Sequence, residues 1–215
     1  MTNCHSMTKA PTKHDRMTNR ITFKKKVFTK AKVKKNLLKV WNSCDEYDRY
    51  DWYKDAQWFA IRLYEAWKAT NPVDPTLLKV VGVIAALSPL KTWEQNQALA
   101  SDFLLKGKRT GHFATAITKA KLIISVGVMH FKILDILSGE KTKSFYQNIL
   151  NPGKIEAVTI DRHAISAAVG SKMVDASLTP KQYEFFVGCY KEVAFQEDVS
   201  PLRLQSAIWL KWRKG

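Results

Sequence analysis

Cysteine is scarce in this 215-residue chain and poorly spaced for structural chemistry. Cys4, Cys44 and Cys189 are too scattered for a zinc or iron–sulfur site, and an odd number leaves no complete disulfide framework. A reducing cytoplasm is the expected compartment. Long apolar runs are missing too. The longest, around residues 80–87, falls well short of the ~20 residues that a membrane-spanning helix needs. The N-terminus is polar and basic with no apolar stretch behind it, so no secretory signal is expected there. Stretches that alternate apolar and polar residues are rare, and there is no internal repeat or low-complexity tract. The last shortage is of negative charge: nineteen Asp and Glu face thirty-five Lys and Arg, a net charge of +16.

That excess is uneven. Residues 1–35 hold nine Lys and two Arg against one Asp, a net +10, and the rest of the chain still carries +6. A basic arm attracts polyanions by displacing their condensed counterions, which gives affinity without sequence choice. Two rival readings are a solvated tail that aids solubility and a membrane-surface segment. The membrane reading is weaker, because the arm lacks an amphipathic apolar face. Nucleic acid is the favoured partner, with no membrane association. Met1, Met7 and Met17 each precede a plausible start, and Met1-Thr2-Asn3 recurs as Met17-Thr18-Asn19. The first sixteen residues therefore read as an upstream extension that contributes little. The expected division is a basic, flexible arm over residues 1–35 and a single domain over 36–215.

From Leu37 onward the spacing is helical almost throughout. Trp52, Ala56, Phe59, Leu63, Ala66 and Trp67 recur at i, i+3/i+4, which marks an amphipathic helix. Asp74-Pro75 reads as an N-cap with Pro at the first helical position, opening a helix that runs to Leu87. Thr179-Pro180 and Ser200-Pro201 repeat that signature before the last two helices. After the first of these, Tyr183, Phe186, Val187 and Tyr190 mark a buried stripe. Residues 123–128 are β-branched enough to read either way, but they stand alone. Gly and Pro cluster at 107–111, 138–139 and 151–153, the expected main loops. The fold class this predicts is all-α, with about eight helices.

Two segments carry the chemistry. Asp135-Ile136-Leu137-Ser138-Gly139-Glu140-Lys141-Thr142-Lys143-Ser144-Phe145 reads as a helix, a tight glycine turn and a second helix. Beyond a Gly/Pro loop, Val158-Thr159-Ile160-Asp161-Arg162-His163-Ala164 puts a carboxylate at a helix start. A glycine turn ahead of a helix exposes backbone N–H groups that can hold a phosphate, and Lys141, Thr142 and Lys143 would reinforce it. At a helix N-terminus Asp161 meets the positive end of the dipole and spare N–H groups. Beside a bound nucleoside such a carboxylate can stabilise a sugar cation or activate a water.

This arrangement resembles the helix-hairpin-helix DNA glycosylases, the superfamily that includes endonuclease III and the 8-oxoguanine glycosylases. The family's hairpin reads L-P-G-x-G-x-K-T, and V-D-T-H follows downstream. Gly139 falls on the second hairpin glycine, Lys141 on the lysine and Thr142 on the threonine, while Asp161 and His163 fall on the aspartate and histidine of V-D-T-H. A second family feature is an apolar helix ending in L-S-x-Q-x-T with an Asn beyond it. Here Val83-Ile84-Ala85-Ala86-Leu87-Ser88-Pro89-Leu90-Lys91-Thr92 precedes Asn96. Ala120-Lys121 and Gly127 sit where the family has its K-A-x-x-I helix. The likeness spans residues 77–170, in the right order. The chain is also similar to uncharacterised phage proteins, which would place it in a host cytoplasm.

The resemblance implies a two-lobed helical domain with a helix-hairpin-helix motif that binds DNA as a monomer, without metal or cofactor. It implies excision of a modified or damaged base by N-glycosidic cleavage after base flipping, with or without AP-lyase activity. Asp161 and Lys141 are the candidate catalytic residues. Asp161 would stabilise the sugar cation, and Lys141 used as an amine nucleophile would also nick the strand through a Schiff base. The candidate DNA contacts are Gly139, Thr142, Lys143, Lys91, Arg162 and His163, with Leu90 wedged into the base stack. Trp93, Phe145 and Trp209 are base-pocket candidates, and Gln205 and Arg213 flank Trp209 at i±4 on one helix face that is open to either core packing or lining the base pocket.

Some positions depart from the family pattern. Leu137 replaces the first hairpin glycine, Leu90 replaces a Gln, and no Arg follows the V-D-T-H-like segment. No four-cysteine cluster follows, which excludes the iron–sulfur branch. Plainer roles also stand beside these: Asp161 as an N-cap only, Lys141 as a solvated charge, and His163 and Trp209 as packing. Two other functions stay open, a base-modifying transferase on the same scaffold and a non-catalytic DNA-binding protein.

Overall fold

Ten helices and one two-stranded hairpin make up the described residues, 19–70, 74–127, 130–153, 157–175 and 177–215, of a computed structural model. The class is all-α, with more helices than the spacing alone suggested. Strands β1 (Arg20–Phe23) and β2 (Lys26–Thr29) pair antiparallel across a two-residue turn. Both turn residues, Lys24 and Lys25, have positive φ, which matches the twist of a tight hairpin. Alternation turns Phe23 and Phe28 inward, and both are buried. Thr29 then caps α1 (Lys30–Asn42) by accepting the Lys32 N–H, and Val33, Leu37 and Trp41 form its buried stripe. The boundary drawn after residue 35 thus falls inside a helix, because the apolar residues between the lysines reach the core. The first eighteen residues of the expected arm lie outside the described residues.

The first lobe is built from α2 (Trp52–Thr70), α3 (Leu77–Ala86), α4 (Trp93–Leu105), α5 (Ala114–Ser125), α6 (His130–Leu137) and α7 (Glu140–Leu150). Its axis is α3, buried from Lys79 to Ala86 and packed on all five of the others. Gly82 permits that closeness: a Cβ there would lie 2.9 Å from Ile123 Cγ2 and 3.0 Å from Ile133 Cγ2. The cap of α3 differs from the sequence reading. Thr76 accepts the Lys79 N–H, whereas Asp74 sits at φ 58° with its carboxylate drawn to the buried Lys79 ammonium. A buried cation needs such a partner, and that demand overrides the local capping preference. Residues 123–125 of the ambiguous stretch are helical, as the end of α5, and Val128 lies outside the described residues.

The second lobe joins the first and last elements of the described residues. The hairpin and α1 pack with α8 (Arg162–Val169), α9 (Pro180–Gln196) and α10 (Pro201–Lys214) around Leu37, Ile165, Phe186 and Tyr190. Thr179 and Ser200 cap α9 and α10 with Pro at the start of each helix, as the spacing predicts. Each lobe therefore has its own buried apolar cluster. Helix α10 serves both, with Leu202 in the first cluster and Leu204, Ala207 and Ile208 in the second. Among the described residues no helix is long and apolar enough to cross a membrane.

Candidate functional site

Between the lobes runs the extended segment 157–160. Val158 and Ile160 are buried, and the Tyr183 hydroxyl pins the backbone by donating to the Val158 carbonyl (2.8 Å) and accepting the Ile160 N–H (3.1 Å). The next residue, Asp161, is the N-cap of α8. Its Oδ1 accepts the Ala164 N–H at 2.7 Å, and its Oδ2 accepts the Trp209 indole N–H at 2.9 Å. Both donors are neutral, so the carboxylate is held in place without a counter-charge at either oxygen.

Asp161 lines a cleft of about 100 Å³ walled by aromatic rings. Trp52 stands at their centre, 5.0 Å from Trp93, 5.6 Å from Trp209 and 6.2 Å from Phe145 between centroids. Behind Trp209 the Arg213 guanidinium lies 4.5 Å from its ring. The cleft also has a polar wall. The Tyr53 hydroxyl donates to Thr159 Oγ1 (3.1 Å), which also accepts from Asn148 Nδ2 (3.1 Å), and Tyr53 lies 3.4 Å from Gln205 Oε1. Burial pushes the Tyr53 phenol above its ordinary pKa, so it stays a neutral donor. Asn96 is buried and donates to the Ile84 carbonyl at 3.0 Å, but its Oδ1 has no partner. An unsatisfied buried acceptor costs about 1–3 kcal/mol, so a ligand or water that donates to it there gains that much. His163 meets the far side of Trp209 edge-on, at 6.4 Å between centroids. Its pKa is lowered chiefly by burial, while Asp161 opposes the shift and Arg162, Arg213 and Lys141 add to it.

The structure brings together residues that the sequence reading assigned to different roles. Asp161, Lys141, Lys91, Trp93, Phe145 and Trp209 all line this one cleft, although they come from three helices and two connecting segments. Leu90 sits beside them in the loop before α4, 78% exposed and with φ at 57°. The turn between α6 and α7 differs from expectation. Its left-handed residue is Ser138 (φ 61°), and Gly139 has an ordinary φ of −94°. A Cβ on Gly139 would meet only Thr142 Oγ1, at 3.4 Å, so glycine is not sterically required there. The Thr142 hydroxyl donates to the Gly139 carbonyl (2.9 Å), and Lys143 lies 3.6 Å from Glu140. Arg162 and His163 line a neighbouring groove and not the cleft.

Trp52, Tyr53 and Thr159 are cleft residues that the sequence reading did not place there, whereas Gln205 lies on the α10 face that it offered as a pocket wall. One of the three had a signal: Trp52 begins the α2 stripe. Among the described residues, no group of three or more His, Cys, Asp or Glu stands together as a metal site.

Residues 19–215 match the model of a family of unknown function, DUF7178. The chain belongs to this family. No curated protein and no solved structure matches it. The DUF7178 match takes in both lobes and every residue of the cleft, so what the cleft does has to be read from its own geometry.

Proposed function

We propose that this protein is a DNA N-glycosylase of the helix-hairpin-helix type that removes a modified or damaged base. The observation that carries the reading is Asp161: a carboxylate fixed by two neutral donors in an aromatic cleft, beside Lys141. The aromatic walls offer π-faces to a base turned out of the stack. As the N-glycosidic bond breaks, its electron pair leaves with the base, and positive charge grows on the sugar. Asp161 opposes that charge from a position set before the reaction begins. Water then adds at the anomeric carbon and loses a proton, leaving an abasic sugar. Leu90 supports the same reading. An exposed Leu in the left-handed region is strained, and at the cleft rim it is placed to fill the space that a flipped nucleotide vacates.

The test is incubation with a panel of oligonucleotides carrying modified bases, read by mass spectrometry for free base and abasic strand. Asp161→Asn should fold, because Asn caps helices about as well as Asp. It should still bind DNA, yet lose base release by orders of magnitude. Full activity in that variant overturns the reading. If Lys141 attacks the sugar, borohydride should trap a covalent adduct in the native protein and not in Lys141→Gln. A wild type that releases base but never traps limits Lys141 to phosphate contact.

A further inference from the structure

Along α8, next to the cleft, lies a larger groove of about 1020 Å³, formed with α1, α10 and the segment after Gly170. Five cations line it, Lys39, Arg162, Lys172, Lys211 and Arg213, and no Asp or Glu does. Among the described residues Lys39, Arg162 and Lys172 have no carboxylate within ion-pair reach. Lys211 is different, since Asp48 lies 3.3 Å from it. Apolar side chains also line the groove: Val40, Met173 and Trp212 are half-buried, and Val174 is 85% exposed. Cations beside an apolar lining differ from an ordinary solvated surface, which would mix both signs of charge.

The groove and the cleft share a wall. Asp161 and Trp209 face the cleft, while the adjoining Arg162 and His163, and the Arg213 stacked on Trp209, face the groove. A strand with one nucleotide in the cleft would therefore have its neighbours in the groove. We propose that this groove binds a single-stranded stretch of nucleic acid, with phosphates on Lys39, Arg162, Lys172 and Arg213 and unstacked bases against its apolar lining. A duplex fits less well, because its bases are turned inward and only its phosphates would meet the rim. Single strands are held by this combination of basic groove and apolar platform. Only the adjacency to a bound nucleotide rests on the glycosylase reading; the binding itself does not.

The experiment is fluorescence anisotropy with a short labelled oligothymidylate, comparing the full chain with Lys39→Ala/Lys172→Ala across a salt series. Both lysines are exposed and outside the cleft, so the variant should fold. Each phosphate neutralised on a single strand contributes roughly 0.7 to the log–log salt slope, so losing two should cut the slope by about 1.4 and weaken binding about 25-fold at roughly 0.1 M salt. Lys54→Ala/Lys68→Ala on α2 should change neither. Unchanged affinity and slope in the groove variant overturn the proposal. So does a duplex bound as tightly through the same two lysines, or polyglutamate that displaces the oligonucleotide as well as unlabelled strand does. The two readings fail separately. Groove binding with no base release from any oligonucleotide defeats the glycosylase reading alone, and base release with an unaffected groove variant defeats this one alone.

Discussion

The indole N–H of Trp209 donates to Oδ2 of Asp161 at 2.9 Å, tying the last helix of the chain to the start of α8. The other oxygen is committed to the Ala164 N–H, so Trp209 decides how the free half of the carboxylate is aimed. Trp209→Phe keeps an aromatic ring against Trp52 and removes the donor. It should cost about 1.5–3 kcal/mol, the usual worth of a hydrogen bond to a charged group, read as a lower denaturant midpoint. Base release should slow more than binding weakens, since the carboxylate loses one of its two tethers. Native stability in that variant would show that the bond carries nothing.

Leu90 should separate stability from activity. A non-glycine residue in the left-handed region costs roughly 1–2 kcal/mol, and Leu90 is exposed enough to lose little packing on replacement. Leu90→Gly should therefore melt at the same temperature as wild type or slightly higher. Base release from duplex should fall, because glycine cannot fill the vacated stack. Release from single-stranded DNA should fall less. Equal losses on both substrates would rule out a wedge.

Acid should weaken the fold through His163 and His112. Burial lowers the pKa of both below the usual value, with Lys91 adding to the shift at His112. The unfolded chain then takes up protons near pH 6.5, where the folded protein does not. Stability is thus highest above that pH and declines as pH falls through the folded-state pKa values. Urea midpoints measured between pH 7.5 and 5 should fall, values chosen to bracket the ordinary histidine pKa of about 6.5. His163→Gln should flatten part of that decline, and His112→Gln another part. A wild-type midpoint independent of pH would contradict both shifts.

Gly82 should resist replacement. Valine there would drive its Cβ and branches into Ile123 and Ile133, both fully buried. Overpacking of this kind costs about 1–3 kcal/mol, seen as a drop in denaturant midpoint. Gly139→Val, which meets no comparable obstacle, should cost less. The opposite order would mean that the α6–α7 turn, and not the α3 crossing, is the tighter spot.

Much of the local structure was legible because its causes are local. Thr179 and Ser200 cap their helices through bonds to residues three positions on, and the α9 stripe follows from helical spacing alone. Asp161 was readable as a helix start for the same reason. Where the reading slipped, burial in the tertiary core had intervened. The Asp74 carboxylate is taken by a lysine that the core has buried, and the hairpin was masked by lysines whose apolar neighbours find their core on α9.

The sequence by itself determined the helical class, the caps of the last two helices, the basic character and the candidate residues, since each depends on neighbours within a turn or on simple composition. Only the tertiary structure decided which of them share a cleft. Trp52 meets Trp93 and Phe145 from other helices of the first lobe and Trp209 from α10, and Asp161 meets Trp209 across 48 residues. No local periodicity carries those pairings. They follow from how the two buried clusters share α10, which places Asp161 against Trp209 at the start of α8 and leaves the basic groove along the helix.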